Sequence, residues 1–250
     1  MNSFKSKLKV LLLQIRETVH VRKEEHETFA RYSGLRPDQI DLLNLFTHHK
    51  LQFDDAVNYD AVFIGGASKA SVLESDVYPF VLDAQNFLLQ CIDHNMPVFA
   101  SCFGFQLAVR ALGGDIIRDE SGYEMGSIII NRVEDMKDDP IFKDIPGNFH
   151  AISVHQERAM TEPDNCQLLA YTDNCCHAFR VNGKPFWAFQ FHPEVDKKTL
   201  IQRLTVYKKK YTSDDNQLNN VIKSAKETPV SNSLPEKFIQ YVVDQKSLKN

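Results

Sequence analysis

Apolar positions along the chain fall into short continuous runs that alternate with stretches of helical spacing. Lys9 to Ile15 is strand-like and continuous and predicts a buried first strand. Polar residues 22–33 carry Phe29 and Tyr32 on one side and stop at Gly34, which predicts a helix. Ile40 to Phe46 is a candidate second strand. Ala61 to Ile64 is a third buried run, expected to end at Gly65-Gly66. The next helix is the clearest in the chain: Val77, Phe80, Val81, Ala84, Phe87, Leu88, Cys91 and Ile92 recur at three- and four-residue intervals. Pro97 to Ala100 begins another strand that runs into Cys102. Helical spacing resumes at Leu107, Ala108, Ala111 and Leu112 and stops at Gly113-Gly114.

Beyond Ile116 the texture changes to strands and turns. Ser127–Val133, Ala151–Val154, Gln167–Tyr171, His177–Val181 and Phe186–Phe191 read as strands, with Asn182-Gly183 signalling a hairpin between the last two. After His192-Pro193-Glu194 a helix is expected, N-capped by Asp196, with Leu200, Ile201, Leu204 and Tyr207 on one face. The remainder is more polar but keeps helical faces at Leu218, Val221, Ile222 and Ala225, then at Phe238, Ile239 and Val242. Ser233 and Glu236 there have the spacing of a capping box. The β-α-β-α rhythm of the first half predicts an α/β fold of the flavodoxin-like or Rossmann-like type: a mostly parallel sheet with helices on both faces. An antiparallel β portion and a C-terminal helical appendage complete it. The expected division is one domain over residues 1–211 and a helical extension over 212–250.

Composition narrows the function classes. Hydrophobic residues at 43% and charged residues at 25% are those of an ordinary globular chain, long enough at 250 residues to bury a sizeable core. A net charge of −4 carries no basic footprint for nucleic acid. The apolar run at the start is too short to span a membrane and lacks a small-residue cleavage site, so no membrane association or secretion is expected. Five cysteines, odd in number and without C-x-x-C spacing, fit reduced thiols and a cytoplasmic setting. The nine histidines form no metal tract, and neither a metal nor a cofactor is expected.

The chemistry concentrates at Cys102. An apolar strand leads into it, a helix follows at once, and Ala100, Ser101 and Gly104 keep its surroundings small. This is the arrangement of a nucleophile elbow, with cysteine in the place of serine. A sharp strand-to-helix turn holds the nucleophile in a strained backbone conformation, and the helix N-terminus favours a thiolate. A cysteine at a strand end is ordinarily a buried structural residue; two further segments argue against that here. Gly65-Gly66 closes an earlier strand where backbone N–H groups can approach a reacting carbonyl. Phe191-His192-Pro193-Glu194 ends a late strand with a histidine and a carboxylate two residues apart, facing the same way if the segment is extended.

These segments together resemble the class I (triad) glutamine amidotransferases, whose nucleophile motif is G-x-C-x-G-x-Q and whose later motif is F-H-P-E. Here they read Ala100-Ser-Cys-Phe-Gly-Phe-Gln106 and Phe191-His-Pro-Glu194. The resemblance covers roughly residues 7–207 and is greatest to stand-alone domains similar to the amidotransferase half of GMP synthase. It implies a triad of Cys102, His192 and Glu194, an oxyanion hole from the amides of Gly66 (or Gly65) and Phe103, and substrate contacts from Gln106 and His155. Glu124-Met-Gly126 resembles an E-x-G segment of such domains and receives no role. Alanine stands at position 100 where the family has glycine. Phe105 stands where histidine is common, which makes the pocket edge more apolar. Neither a G-x-x-x-x-G-K-[ST] loop nor an S-G-G-x-D-S loop is present, so the chain has no sequence for activating an acceptor with ATP.

The implied activity is cleavage of a γ-glutamyl amide bond through a γ-glutamyl thioester, releasing glutamate and ammonia or an amine. The ligand is then glutamine or a γ-glutamyl compound, and an ammonia-accepting synthetase in trans is the partner such a domain would have. A γ-glutamyl peptide hydrolase is the second reading, and a non-catalytic regulatory or binding protein on the same fold is the third.

Overall fold

The structure, a computed structural model, describes residues 4–48, 50–119, 123–206 and 215–248. Its centre is a nine-stranded sheet. The strands in chain order are β1 (Val10–Ile15), β2 (Ile40–Asn44), β3 (Ala61–Ala67), β4 (Val98–Ser101), β6 (Glu124–Arg132), β7 (Asn148–His155), β9 (Cys166–Thr172), β10 (Cys175–Val181) and β11 (Phe186–Phe189). Two short strands, β5 (Ile117–Arg118) and β8 (Glu157–Arg158), form a separate antiparallel pair. The sheet order is β2-β1-β3-β4-β11-β10-β9-β6-β7. From β2 to β11 all neighbours are parallel; from β11 to β7 all are antiparallel. β11 is therefore the seam between the two halves.

Strands buried on both faces read as continuous apolar runs, and the two faces are resolved by the alternation within each run. Leu11, Leu13, Val62, Ile64, Val98 and Ala100 point into one core. That core is covered by α2 (Phe80–Asp93) and α3 (Phe103–Ala111), through residues such as Phe87, Leu88, Phe105 and Leu107. Val10, Leu12, Ala61, Phe63 and Phe99 point into the opposite core, which also contains Phe29 of α1 (Val19–Ser33). Helices then follow at α4 (Lys197–Val206), α5 (Asp215–Ser224), α6 (Pro229–Asn232) and α7 (Leu234–Leu248). Leu234, Phe238, Ile239 and Val243 of α7 are fully buried in that second core, where Phe238 meets Phe63, Phe99 and Trp187. Among the described residues no helix is long and apolar enough to cross a membrane.

The α/β fold with its antiparallel portion and C-terminal helices is the expected one, and the differences are local. β3 does not stop at the glycines but runs through them to Ala67. β2 ends at Asn44, where the side-chain amide donates to the carbonyl of Arg16 and the side-chain oxygen accepts the N–H of Phe46, turning the chain. Asp196 caps α4, accepting the N–H of Thr199 at 2.7 Å. The capping box at Ser233 does not form: its hydroxyl donates to the carbonyl of Val230 at 2.7 Å, and Glu236 pairs with Lys5 instead. Tyr207 and the division at residues 211 and 212 lie outside the described residues.

Candidate active site

β4 and β11 are parallel neighbours, so their C-terminal ends lie side by side. In open α/β sheets this is the edge where ligands bind. The chain leaves β4 at Cys102 and enters α3 immediately. Cys102 has φ 51° and ψ −98°, outside the regions open to an ordinary L-residue, and its N–H donates to the carbonyl of Phe189 in β11 at 2.7 Å. A backbone in such a region costs on the order of 1–3 kcal/mol, held by its surroundings. Close packing explains the small neighbours. A Cβ on Gly104 would lie 2.9 Å from the Ile64 side chain and 3.1 Å from Ala100. Ala100 itself, the departure from the family motif, is completely buried in the parallel sheet.

After β11 the chain crosses towards β7, where the N–H of His192 donates to the carbonyl of Ile152 at 2.8 Å. His192 and Glu194 meet, with Nδ1 2.7 Å from Oε1, but not as neighbours on one face of a strand. β11 ends at Phe189, and Pro193-Glu194 form a turn closed by a hydrogen bond from the Val195 N–H to the His192 carbonyl at 3.1 Å. The turn folds the carboxylate back under the ring. His192 and Cys102 both border Gly66, where an added Cβ would lie 2.8 Å from the His192 ring and 3.5 Å from the Cys102 Cβ.

Burial disfavours the charged imidazolium, but Cys102 and Glu194 outweigh it and raise His192 to about 9. Burial likewise opposes the Glu194 carboxylate, and His192, with Arg203 behind it, holds it below the usual carboxylate range nonetheless. Arg203 pairs with Glu24 at 2.8 Å. Beside it, buried Arg16 pairs with buried Glu25 at 2.9 Å. The two glycines divide between these groups. A Cβ at position 66 would meet the His192 ring at 2.8 Å and lie 3.5 Å from the Cys102 Cβ. One at position 65 would collide with the Glu25 carboxylate. Gly66 is thus the glycine next to the thiol.

A cleft opens over Cys102, lined by Ser68, Ser71, Phe103, Gln106, Arg118, Tyr123, His155 and Glu157 among others. Gln106 lies one turn into α3, and its side-chain N–H donates to the carbonyl of Glu157 at 2.9 Å, bracing the wall. His155 is in the wall too, its Nε2 3.0 Å from Glu124. Phe105 is not at the rim: it is fully buried and packs on Phe179 with ring centroids 5.3 Å apart. The apolar edge expected from Phe105 is therefore absent, and the wall mixes polar side chains with Ala67, Phe103 and Val154.

Arg118 was not legible in the sequence. It sits opposite Glu157 in the β5–β8 pair, 2.6 Å from its carboxylate, and also reaches Glu74 at 3.1 Å. Ser71 donates to the same Glu157 oxygen at 2.5 Å. The cleft thus presents a cation and an anion to any ligand approaching the thiol. Glu157 stands two residues after His155, and that proximity is its one signal in the sequence.

Residues 19–207 match the sequence profile of "Glutamine amidotransferase class-I", so the chain belongs to the class-I glutamine amidotransferase family. It is 25% identical over 219 residues to gamma-glutamyl peptidase 4 of Arabidopsis thaliana, a match covering 87% of this chain and 84% of that one. It is 31% identical over 184 residues to a glutamine-hydrolyzing GMP synthase of Thermotoga maritima, covering 74% of this chain and 32% of the synthase. The chain spans about a third of the length of that enzyme. The crystal structure of a glutamine amidotransferase from Thermotoga maritima has the same fold, with a TM-score of 0.75 at 19% identity, over 95% of this chain and 98% of the other.

Proposed function

We propose that this chain hydrolyses γ-glutamyl amide bonds with Cys102 as nucleophile, His192 as base and acid, and Glu194 as the group that orients the ring. The convergence of Cys102 and His192 on Gly66, with His192 2.7 Å from Glu194, carries the reading. Sulfur attacks the γ-carbonyl carbon with the thiol proton already held on His192. The N–H groups of Gly66 and Phe103 stabilise the oxyanion. As the C–N bond breaks, His192 returns the proton to the departing ammonia or amine, leaving a γ-glutamyl thioester on Cys102. Water then attacks the thioester with His192 as base, releasing glutamate and restoring the thiol. Arg118 and Glu157 bind the α-carboxylate and α-amino group of the glutamyl head, since a zwitterion matches a cation and an anion fixed side by side.

The leaving group separates two versions of this activity. The glutamine-hydrolyzing GMP synthases, long chains matched only in part, favour free glutamine with the ammonia passed to a synthetase in trans. The match running along most of both chains with gamma-glutamyl peptidase 4 favours a stand-alone hydrolase of γ-glutamyl peptides. The test is kcat/KM for glutamine against a set of γ-glutamyl dipeptides on the purified chain alone. Preference for dipeptides supports the peptidase version, preference for glutamine the amidotransferase version, and absence of turnover on all of them counts against unaided hydrolysis.

A further inference from the structure

Three strands of the antiparallel half deliver four metal-ligating side chains to one buried point. Glu124 and His155 are directly opposite in the β6–β7 ladder. Cys175 and His177 are two apart on β10 and share a face. Glu124 Oε2 lies 3.0 Å from Nε2 of His155 and 3.0 Å from Nε2 of His177, and His177 Nε2 lies 3.3 Å from the Cys175 sulfur. All four residues are buried, and their ligand atoms lie within 4.8 Å of one another.

We propose that Glu124, His155, Cys175 and His177 form a closed tetrahedral site for a zinc-class divalent ion, fastening β6, β7 and β10 behind the cleft wall.

The donor set decides the metal. Two imidazoles, one thiolate and one carboxylate are the borderline-soft ligands of zinc, whereas magnesium and calcium take oxygen alone. Metal–ligand bonds of about 2.0–2.3 Å put tetrahedral ligand atoms roughly 3.3–3.7 Å apart. The pairs at 3.0–3.3 Å need to open by only a few tenths of an ångström to reach that range. Charge balances as well: a carboxylate, a thiolate and two neutral imidazoles carry −2, which a divalent cation cancels.

Two independent features point the same way. Among the described residues the buried Nδ1 atoms of His155 and His177 have no hydrogen-bond partner, so the engaged nitrogen of each ring is the one at the cluster. Among the described residues, no lysine or arginine enters the hydrogen-bond shell of the buried Glu124 carboxylate. Its partners are the two histidines with Ser153 on one oxygen, and Thr172 and Asn174 on the other. Buried carboxylates are ordinarily paired with a fixed charge or a metal. Thr172 and Asn174, on Oε1, are placed to orient the carboxylate while Oε2 ligates. With all four positions taken by protein, the site is structural, and it fixes His155 in the wall of the cleft that holds Cys102.

The test uses Co²⁺ as a spectroscopic probe on the full-length chain after chelator treatment. The Cys102→Ala background removes the competing thiol. One equivalent should bind, giving the visible bands of tetrahedral cobalt and a near-ultraviolet thiolate charge-transfer band. Cys175→Ser, nearly isosteric, should lose the charge-transfer band, and His177→Gln should weaken binding at least ten-fold. Zn²⁺ should displace the cobalt and raise the Tm of the parent but not of Cys175→Ser. Absence of stoichiometric binding would overturn the proposal, as would cobalt spectra unchanged by Cys175→Ser. If His177→Gln does not fold, the Cys175→Ser spectrum alone decides.

Discussion

The N–H of Cys102 donates to the carbonyl of Phe189 at 2.7 Å, joining the turn that carries the thiol to the strand that leads to His192. The two elements are far apart in sequence but are parallel neighbours in the sheet, so a single ladder sets the spacing of nucleophile and base. The strain at Cys102, φ 51° and ψ −98°, is the local consequence.

That strain can be measured. Cys102→Gly should be at least as stable as Cys102→Ala, since relief of about 1–3 kcal/mol of backbone strain offsets the roughly 0.5–1 kcal/mol that glycine loses in chain entropy. Both variants should be inactive. Chemical denaturation decides it, and a clearly more stable alanine variant would mean the turn is unstrained.

His192→Asn should lower kcat/KM by about 10²–10⁴, and Glu194→Gln by less. His192 is raised to about 9 by Cys102 and Glu194 against the opposing effect of burial, so the imidazolium is lost as pH rises through that value. The alkaline limb of kcat/KM should therefore lie near pH 9 in the wild type. Removing the Glu194 charge removes one of the raising influences and should move that limb to lower pH. A limb that stays in place would show that Glu194 does not act through the ring.

A thiol reagent at neutral pH should label Cys102 alone. Burial holds the Cys91 thiol far above its usual range. Burial, helped by nearby acidic groups, pushes Cys166 up to about 12 and Cys176 well above its ordinary value, and Cys175 is buried. Thiolates are the reactive form. Peptide mapping after limited alkylation reads the result, and labelling spread across several cysteines would contradict it.

The chain's own sequence foretold the elbow and the His-Pro-Glu segment because each needs particular residues close together in the chain. Small side chains at 100, 101 and 104 answer to the packing of α3 on β3 and β4, which Gly104 makes visible. The rest of the site is non-local. Phe105 occupies a motif position near the pocket, yet helix periodicity turns it into the core against Phe179. Arg118 and Glu157 meet only because two-residue strands pair across a long excursion. Cys175 and His177 reach Glu124 only through the ordering of β10, β9 and β6, which no local pattern encodes. Even the His192–Glu194 contact came from a turn where an extended strand was expected.

Arg118→Ala should raise KM for γ-glutamyl substrates roughly ten- to hundred-fold, the worth of about 1.5–3 kcal/mol for hydrogen bonds to a charged group, with a smaller effect on kcat. Arg118→Lys should restore only part, because the planar fork is lost. Steady-state kinetics test this, and an unchanged KM would remove Arg118 from the head-group site.

In the proposed reaction a γ-glutamyl thioester forms on Cys102. Rapid acid quenching of the wild-type chain during turnover of a γ-glutamyl substrate, followed by peptide mass mapping, tests it directly. A γ-glutamyl adduct is expected on the peptide containing Cys102. It should be lost in Cys102→Ala and accumulate more slowly in His192→Asn. Turnover without any adduct on Cys102, or an adduct on another cysteine, would contradict it.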